Sequence, residues 1–298
     1  MPTKARDPSL PLTATERIDD EFYFGYRTII TYDENGKEIY SYKPLTLDDF
    51  LDPEEGDLFM QGTLHDEDTT ALKSIFRYIH RADPNTAVFS DLKILWGIEG
   101  LSQPAPDVMV IPDVKDPAKP RPTFDIAVEG TRPRFILEVV SPRYRQPDRD
   151  SKVAIYEQAG VEEYFIIDSW LKDDRVSYEV LGYRLENDIY VEIQPNQKGW
   201  LFSQVNNIWV GVSEDQHRFF VVDRQTNQPI LPAEKRAEAE AARAEAEAAR
   251  AEAETARAEA EAEARQQAEA RAAELETRLR ELEARYQAQS DVSTDKPE

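Results

Sequence analysis

The chain contains no cysteine, which excludes disulfide frameworks and thiolate metal sites together. Its three histidines, His65, His80 and His217, lie too far apart to form a local metal motif. No apolar run approaches the roughly 20 residues that a membrane span needs. The opening "MPTKARDPSLPLTATERIDDE" has no apolar stretch of the signal-peptide kind. A cytoplasmic protein with no membrane partner is the expectation. Positive charge is scarce as well, with a formal net charge of −23 over 298 residues. Residues 233–298 hold 18 acids and 11 bases, which leaves a net of −16 on residues 1–232. The main part is therefore acidic in its own right. Any contact with a nucleic acid has to run through a local basic surface.

What is present falls into two compositional regimes. Residues 1–44 read as an irregular segment with a hairpin in "TYDENGKEIYSY", turning at Asn35-Gly36. Residues 45–232 alternate helical and strand patterns. "PLTLDDFL" has the signature of a short helix capped by Thr46, with Asp49 three residues on. In "HDEDTTALKSIFRYIHRAD", Leu72, Ile75, Phe76 and Ile79 recur at helical spacing. "AVFSDLKILW", "PDVMVIPD", "RFILEVVS" and "EYFIID" read as strands, and "RVSYEVLGYRLENDIYVEIQ" as a hairpin turning at Asn187-Asp188. "DRDSKVAIYEQAG" reads as a helix stopped by Gly160. The order predicts an α/β domain built on a mixed sheet.

From residue 233 the sequence changes character. Arg236, Arg243, Arg250 and Arg257 mark a seven-residue repeat of Ala, Glu and Arg, all strong helix formers. Leu275, Leu279, Leu282 and Tyr286 then follow at coiled-coil spacing. Two alanine seams are equally available upstream, so the repeat specifies a partner weakly. A coiled-coil helix over residues 233–289, holding a homo-oligomer (most simply a dimer), and a solitary solvated helix both fit. Residues 290–298 read as a disordered tail.

One residue of the main part stands out. In "RFILEVVS", Phe135, Ile136, Leu137, Val139 and Val140 are apolar on both faces of the strand period, yet Glu138 sits among them. A buried carboxylate must be neutralised or matched by a cation. Asp107 opens the preceding strand pattern, where its ordinary role would be a turn cap. Lys152 falls with Ile155, Tyr156 and Ala159 at helical spacing, so it points inward with the apolar stripe. Its ordinary role would be to snorkel at the helix edge. Two carboxylates suit a hard cation such as Mg²⁺ or Mn²⁺, and an inward lysine could hold a water or neutralise charge on a reacting phosphate. Arg132, Arg134, Arg143, Arg145 and Arg149 cluster nearby. Of these, Arg143, Arg145 and Arg149 are phosphate-binding candidates.

These stretches resemble a known family. Pro106-Asp107, "EVVSP" at 138–142 and "DRDSKVAIYEQAGVEEYFIID" look like the Uma-two family, whose members are classed as restriction endonucleases within the PD-(D/E)XK nuclease superfamily. The resemblance covers about residues 45–195 and is densest over 105–168. It implies a restriction-endonuclease-like fold, DNA as substrate and Mg²⁺ or Mn²⁺ as cofactor. By the resemblance Asp107, Glu138 and the backbone carbonyl of Val139 would be metal ligands, and Asp107, Glu138 and Lys152 the catalytic set. Asp148, Tyr156 and His65 would support them. One departure is plain. The superfamily's lysine lies two residues after the acid, where this chain has Val140, so Lys152 would replace it from the helix. The rival reading is an inactive nuclease-fold protein for binding or assembly, organised by its coiled coil.

The tail readings separate on one substitution. If the leucine seam associates, Leu279→Glu lowers the association constant in sedimentation equilibrium. An unchanged constant leaves the solitary helix.

Overall fold

A strand that is apolar on both faces belongs inside a sheet covered on both sides. The computed structural model, which describes residues 22–59, 62–140, 144–172 and 175–293, places Phe135–Val140 in that position, with none of its residues more than 2% exposed. In chain order the strands are β1 (Tyr26–Tyr32), β2 (Glu38–Pro44), β3 (Asp57–Leu58), β4 (Ala87–Phe89), β5 (Ile94–Leu95), β6 (Val108–Ile111), β7 (Phe124–Asp125), β8 (Phe135–Val140), β9 (Glu163–Lys172), β10 (Arg175–Glu186), β11 (Ile189–Glu192), β12 (Leu201–Ser203), β13 (Ile208–Val212) and β14 (Phe219–Asp223). The helices are α1 (Leu47–Leu51), α2 (Thr63–Ile79), α3 (Ile126–Glu129), α4 (Lys152–Gln158) and α5 (Ala233–Ser293).

The main sheet runs β11-β10-β9-β8-β6-β4. Its β8–β9 pair is parallel and its other pairs are antiparallel. Parallel neighbours need a crossover, and α4 supplies it. The result is the mixed sheet flanked by helices that the sequence predicts, with a long C-terminal helix besides. Leu72, Ile75 and Phe76 of α2 pack on one face of the sheet, with Phe135, Leu137, Val139 and Phe165. Ile155, Tyr156 and Ala159 pack on the other, with Ile136, Val140, Tyr164 and Trp96. Glu138 shares the α4 face with Ile136 and Val140, because alternate strand residues point the same way.

Local chemistry explains most elements. Thr46 caps α1, its hydroxyl accepting from the Asp49 backbone N–H while the Asp49 carboxylate accepts from the Thr46 N–H. The β10–β11 hairpin turns on Asn187 and Asp188, both left-handed at φ 52° and 63°, a conformation these two residue types tolerate. Two expectations need correction. "AVFSDLKILW" is not one strand: β4 joins the main sheet, whereas β5 pairs with β7, and Asp91 at φ 51° breaks the run between them. The helix before Gly160 does not begin as an α-helix. Its first turn, Pro147–Ser151, is a π turn, with the Lys152 N–H bonding back to the Pro147 carbonyl.

Beyond the sequence reading, β12, β13 and β14 form a three-stranded sheet whose Leu201, Ile208, Val210 and Val221 join the α2-side core. Gly211 of β13 is a packing requirement, since a Cβ there would lie 2.4 Å from the Trp200 ring. Residues Glu234–Glu298 form a separate unit from Met1–Ala233. In it α5 continues to Ser293 with Leu275, Leu279, Leu282 and Tyr286 exposed. Among the described residues no helix is long and apolar enough to cross a membrane.

Glu163, at the start of β9, ties the small sheet to the large one. Its buried carboxylate accepts from Arg184 at 2.9 Å, Ser203 Oγ at 2.6 Å and the Gln204 N–H at 2.9 Å. Glu163→Ala removes the acceptor that all these donors share. Breaking such a pair from one side should cost about 3–5 kcal/mol, read as a lower urea midpoint at unchanged slope.

Candidate functional site

The β6–β8 register, Val108 opposite Leu137, sets Asp107 opposite Glu138 when continued by one residue. The pairing is closed by side chains. The Val139 N–H donates to Asp107 Oδ2 at 2.7 Å, and the Asp107 N–H approaches Glu138 Oε2 at 3.4 Å. Both carboxylates are buried. From the opposite layer, α4 brings Lys152, whose Nζ lies 3.0 Å from Glu138 Oε1 and 2.8 Å from Asp148 Oδ1. Tyr156, one turn on, donates its hydroxyl to the same Glu138 Oε1 at 2.6 Å. The cation that Glu138 demands is thus Lys152.

The π turn places Asp148 here. A π turn pairs each carbonyl one residue further along than an α turn does. The Asp148 carbonyl accepts from the Tyr164 hydroxyl at 2.8 Å while its side chain meets Lys152. From the first turn of α2, His65 Nε2 lies 3.2 Å from Asp107 Oδ1, and its ring also faces the Val139 carbonyl. The other ring nitrogen, Nδ1, is buried without a hydrogen-bond partner among the described residues.

These groups line a cavity of about 530 Å³. Phe50, Phe59 and Tyr144 form an aromatic wall, with the Phe50 ring centroid 5.0 Å from the Lys152 ammonium. Glu54, Glu55, Asp57 and Asp91 add acid to the lining and Lys93 one further cation.

Burial and charge push the carboxyls apart. Burial raises Glu138, up to about 8, with Lys152 opposing it. Burial also raises Asp148, to about 6, against the same lysine. Burial would raise Asp107 too, but its hydrogen bond and charge contact with His65, together with Lys152, hold it below its ordinary value. Burial alone would lower His65, yet Asp107 carries it up to about 9. Lys152 stays raised, its neighbouring carboxylates outweighing desolvation.

The phosphate-binding candidates sit differently. Arg145 donates to Asp168 Oδ1 at 2.8 Å, and Arg149 lies 2.6 Å from Asp168 Oδ2 and pairs with Glu179. Neither lines the cavity, and Arg143 lies outside the described residues. Arg132 and Arg134 are also engaged, with the Ala159 carbonyl and Glu162. Asp168 is the residue that sequence reasoning missed. It is a fully buried carboxylate in an apolar run, the signal that exposed Glu138. The cavity wall, drawn from Phe50 of α1, Phe59 and Tyr144, left no such signal.

Asp107, Glu138 and the Val139 carbonyl are hard oxygen donors of the kind Mg²⁺ and Mn²⁺ accept. They supply two side-chain ligands, and among the described residues no group of three or more His, Asp or Glu forms a metal cluster. The unpartnered His65 Nδ1 on the same cavity is a buried polar atom that a bound group or water would satisfy.

Residues 54–213 match the family model described as "Uma2: Putative restriction endonuclease". No curated protein matches the chain. A solved structure titled "Crystal structure of a putative nuclease belonging to DUF820 from Anabaena variabilis ATCC 29413" is 15% identical, with a TM-score of 0.34, covering 66% of this chain and 91% of that one.

The raised groups share one sign. Glu138, Asp148 and His65 each bind a proton more tightly folded than unfolded, so each stabilises the fold most below its unfolded value. That contribution fades as pH climbs through about 6 for Asp148, about 8 for Glu138 and about 9 for His65. In chelator, the melting temperature should therefore fall from pH 5 to about pH 9. Glu138→Gln should flatten the profile, and a wild-type profile that rises over this range would contradict the assignment.

Proposed function

This chain belongs to the Uma2 family, and on that premise we propose that it hydrolyses phosphodiester bonds of DNA with the help of Mg²⁺ or Mn²⁺. The observation that carries the reading is the approach of Lys152, from the helix, to within 3.0 Å of Glu138 across from Asp107. The carboxylates, the Val139 carbonyl and an ammonium then share one cavity, although Val140 leaves the superfamily's usual lysine position apolar.

In this reading Asp107, Glu138 and the Val139 carbonyl hold the metal, with water completing its shell. When bound, such an ion polarises the phosphate and lowers the pKa of an attacking water. The residues around it do the rest. His65 keeps Asp107 ionised and therefore able to ligate. Tyr156 fixes the orientation of Glu138 through a single short hydrogen bond. Lys152 neutralises charge that develops on the phosphate oxygens or holds the water in line. Asp148 positions the Lys152 ammonium from one helical turn away. Arg145 and Arg149 neutralise Asp168 and take no part in binding phosphate in this reading. Association of two tails along the Leu275–Tyr286 seam belongs to the same proposal, since a paired enzyme could act on both strands of a duplex.

The test is cleavage of plasmid and single-stranded DNA with Mg²⁺, Mn²⁺ or EDTA, beside two variants. Glu138→Gln should abolish Mn²⁺ binding in calorimetric titration while the domain stays folded. Lys152→Ala should keep Mn²⁺ affinity and lose about 10²–10³-fold in turnover, the scale of losing one transition-state donor. Lys152→Arg should rescue poorly, because a planar guanidinium does not reproduce the compact ammonium. Normal turnover in Lys152→Ala, or no metal-dependent cleavage by the wild type, would favour the inactive binding protein instead.

A further inference from the structure

We propose that the β1–β2 hairpin is an assembly surface for a second copy of this chain, joined edge to edge through Thr28–Tyr32. The proposal does not depend on the nuclease reading.

The hairpin is a seven-pair antiparallel ribbon, Tyr26 against Pro44 through Tyr32 against Glu38. On the outer side of β1 the strand β3 covers Tyr26 and Arg27 alone among the described residues, so within them Thr28–Tyr32 is a bare edge. Exposed edges are normally blunted by charge, proline or a bulge. This one reads Thr-Ile-Ile-Thr-Tyr, without charge or proline and composed of strong strand formers. An uncovered edge of this kind is a template for another strand, and beyond Arg27 the sheet β2-β1-β3 narrows to two strands, a width that is marginal in water by itself.

The phase of the ladder fits a copy of itself. The Leu45 N–H bonds to the Gly25 carbonyl and the Asp33 N–H to the Lys37 carbonyl. Gly25 and Asp33 flank β1 in the register of the ladder and both are odd-numbered, so the odd residues of the strand bond inward to β2. By the alternation of an antiparallel pair, the N–H and C=O groups of Thr28, Ile30 and Tyr32 then point outward. An identical edge approaching antiparallel about a two-fold axis sets Ile30 against its own counterpart and Thr28 against Tyr32. All three residues bond at once in a self-complementary contact. The side chains agree: Ile30, Tyr32, Tyr40 and Tyr42 share one face, exposed by 48%, 67%, 54% and 58%, and the merged four-stranded sheet would make that face continuous.

Charge selects the occupant. Residues 26–44 hold Arg27, Lys37 and Lys43 against Asp33, Glu34 and Glu38, a net of zero on a chain of −23. Two strongly anionic copies can meet here without adding like charge at the seam itself, where only the screened repulsion of the rest of the molecule opposes them. A polyanion gains nothing from the strip, and a cationic partner is better matched elsewhere on the molecule.

The absence of cysteine makes the test direct. Ile30→Cys and Tyr40→Cys are each placed in the full chain carrying Leu279→Glu, so that the tail does not hold the copies together. In the proposed pairing the Ile30 positions lie about 5.5 Å apart, within disulfide reach. The Tyr40 positions lie three strand spacings apart, about 14 Å. Mild oxidation should give at least about tenfold more covalent dimer from Ile30→Cys than from Tyr40→Cys, given that difference in reach. Equal yields from the two, or no dimer from Ile30→Cys, would overturn the proposal. A second readout avoids thiol chemistry. Ile30→Lys in the same Leu279→Glu chain should abolish concentration-dependent dimerisation in sedimentation equilibrium. An unchanged association constant, or a Leu279→Glu parent that never associates, would overturn it as well.

Discussion

A carboxylate in the middle of a fully buried strand is the constraint from which much of this structure follows. Glu138 could stay there only with a cation and a donor brought to it, because an isolated buried charge is worth several kcal/mol of instability. Lys152 and Tyr156 answer from α4, one helical turn apart. That requirement fixes the face that α4 presents, the depth at which it docks and the residue at which the α-helix begins. Asp107 arrives from the other side through the β6–β8 register and is matched in turn by His65. Acid and base therefore come from four separate elements and meet because each is positioned by backbone pairing or a packed stripe.

The main unit solves the same problem repeatedly, and three of the cases differ in an informative way. Glu138 is matched by Lys152, Asp168 by Arg145 and Arg149, and Glu163 by Arg184. Asp168 and Glu163 do not line the large cavity, and guanidinium forks hold them. These are arrangements that specify how strands and sheets dock. Around Glu138 the cation is a compact ammonium, a second and a third carboxylate stand close by, and the group opens onto a cavity with aromatic walls. A buried ion pair alone is weak evidence of function. A crowded, imperfectly balanced one on a cavity is stronger evidence.

Period-two patterning made β8 and its odd carboxylate legible in the sequence, and helical spacing made the inward direction of Lys152 legible. The hairpin turns at Asn35-Gly36 and Asn187-Asp188 and the Thr46 cap were readable because their chemistry is local. What escaped was set by distance. Nothing within "AVFSDLKILW" says that its halves belong to different sheets, since that depends on β6 and β7, which come later in the chain. The arginines near residue 145 looked like a phosphate platform because their acidic partners, Asp168 and Glu179, lie some twenty to thirty residues away. The sheet of β12 to β14 is made of three short strands whose partner is the α2-side core, and its apolar residues carry too few periods to announce it.

The π turn at Pro147–Ser151 carries a lesson about insertions and deletions. It holds one residue more per turn than the α-helix it leads into, as if a residue had been slipped into a regular helix. Removing that one residue would let the turn close as ordinary α-helix with the chain on either side still in phase. In a regular helix the same deletion would turn everything upstream by about 100°. What this deletion would forfeit is the wider turn itself, and with it the present bearing of Asp148 on Lys152 and of Arg149 on Asp168, while α4 kept its buried face. The segment is thus a place where the chain length can change by one without re-aiming the helix that follows.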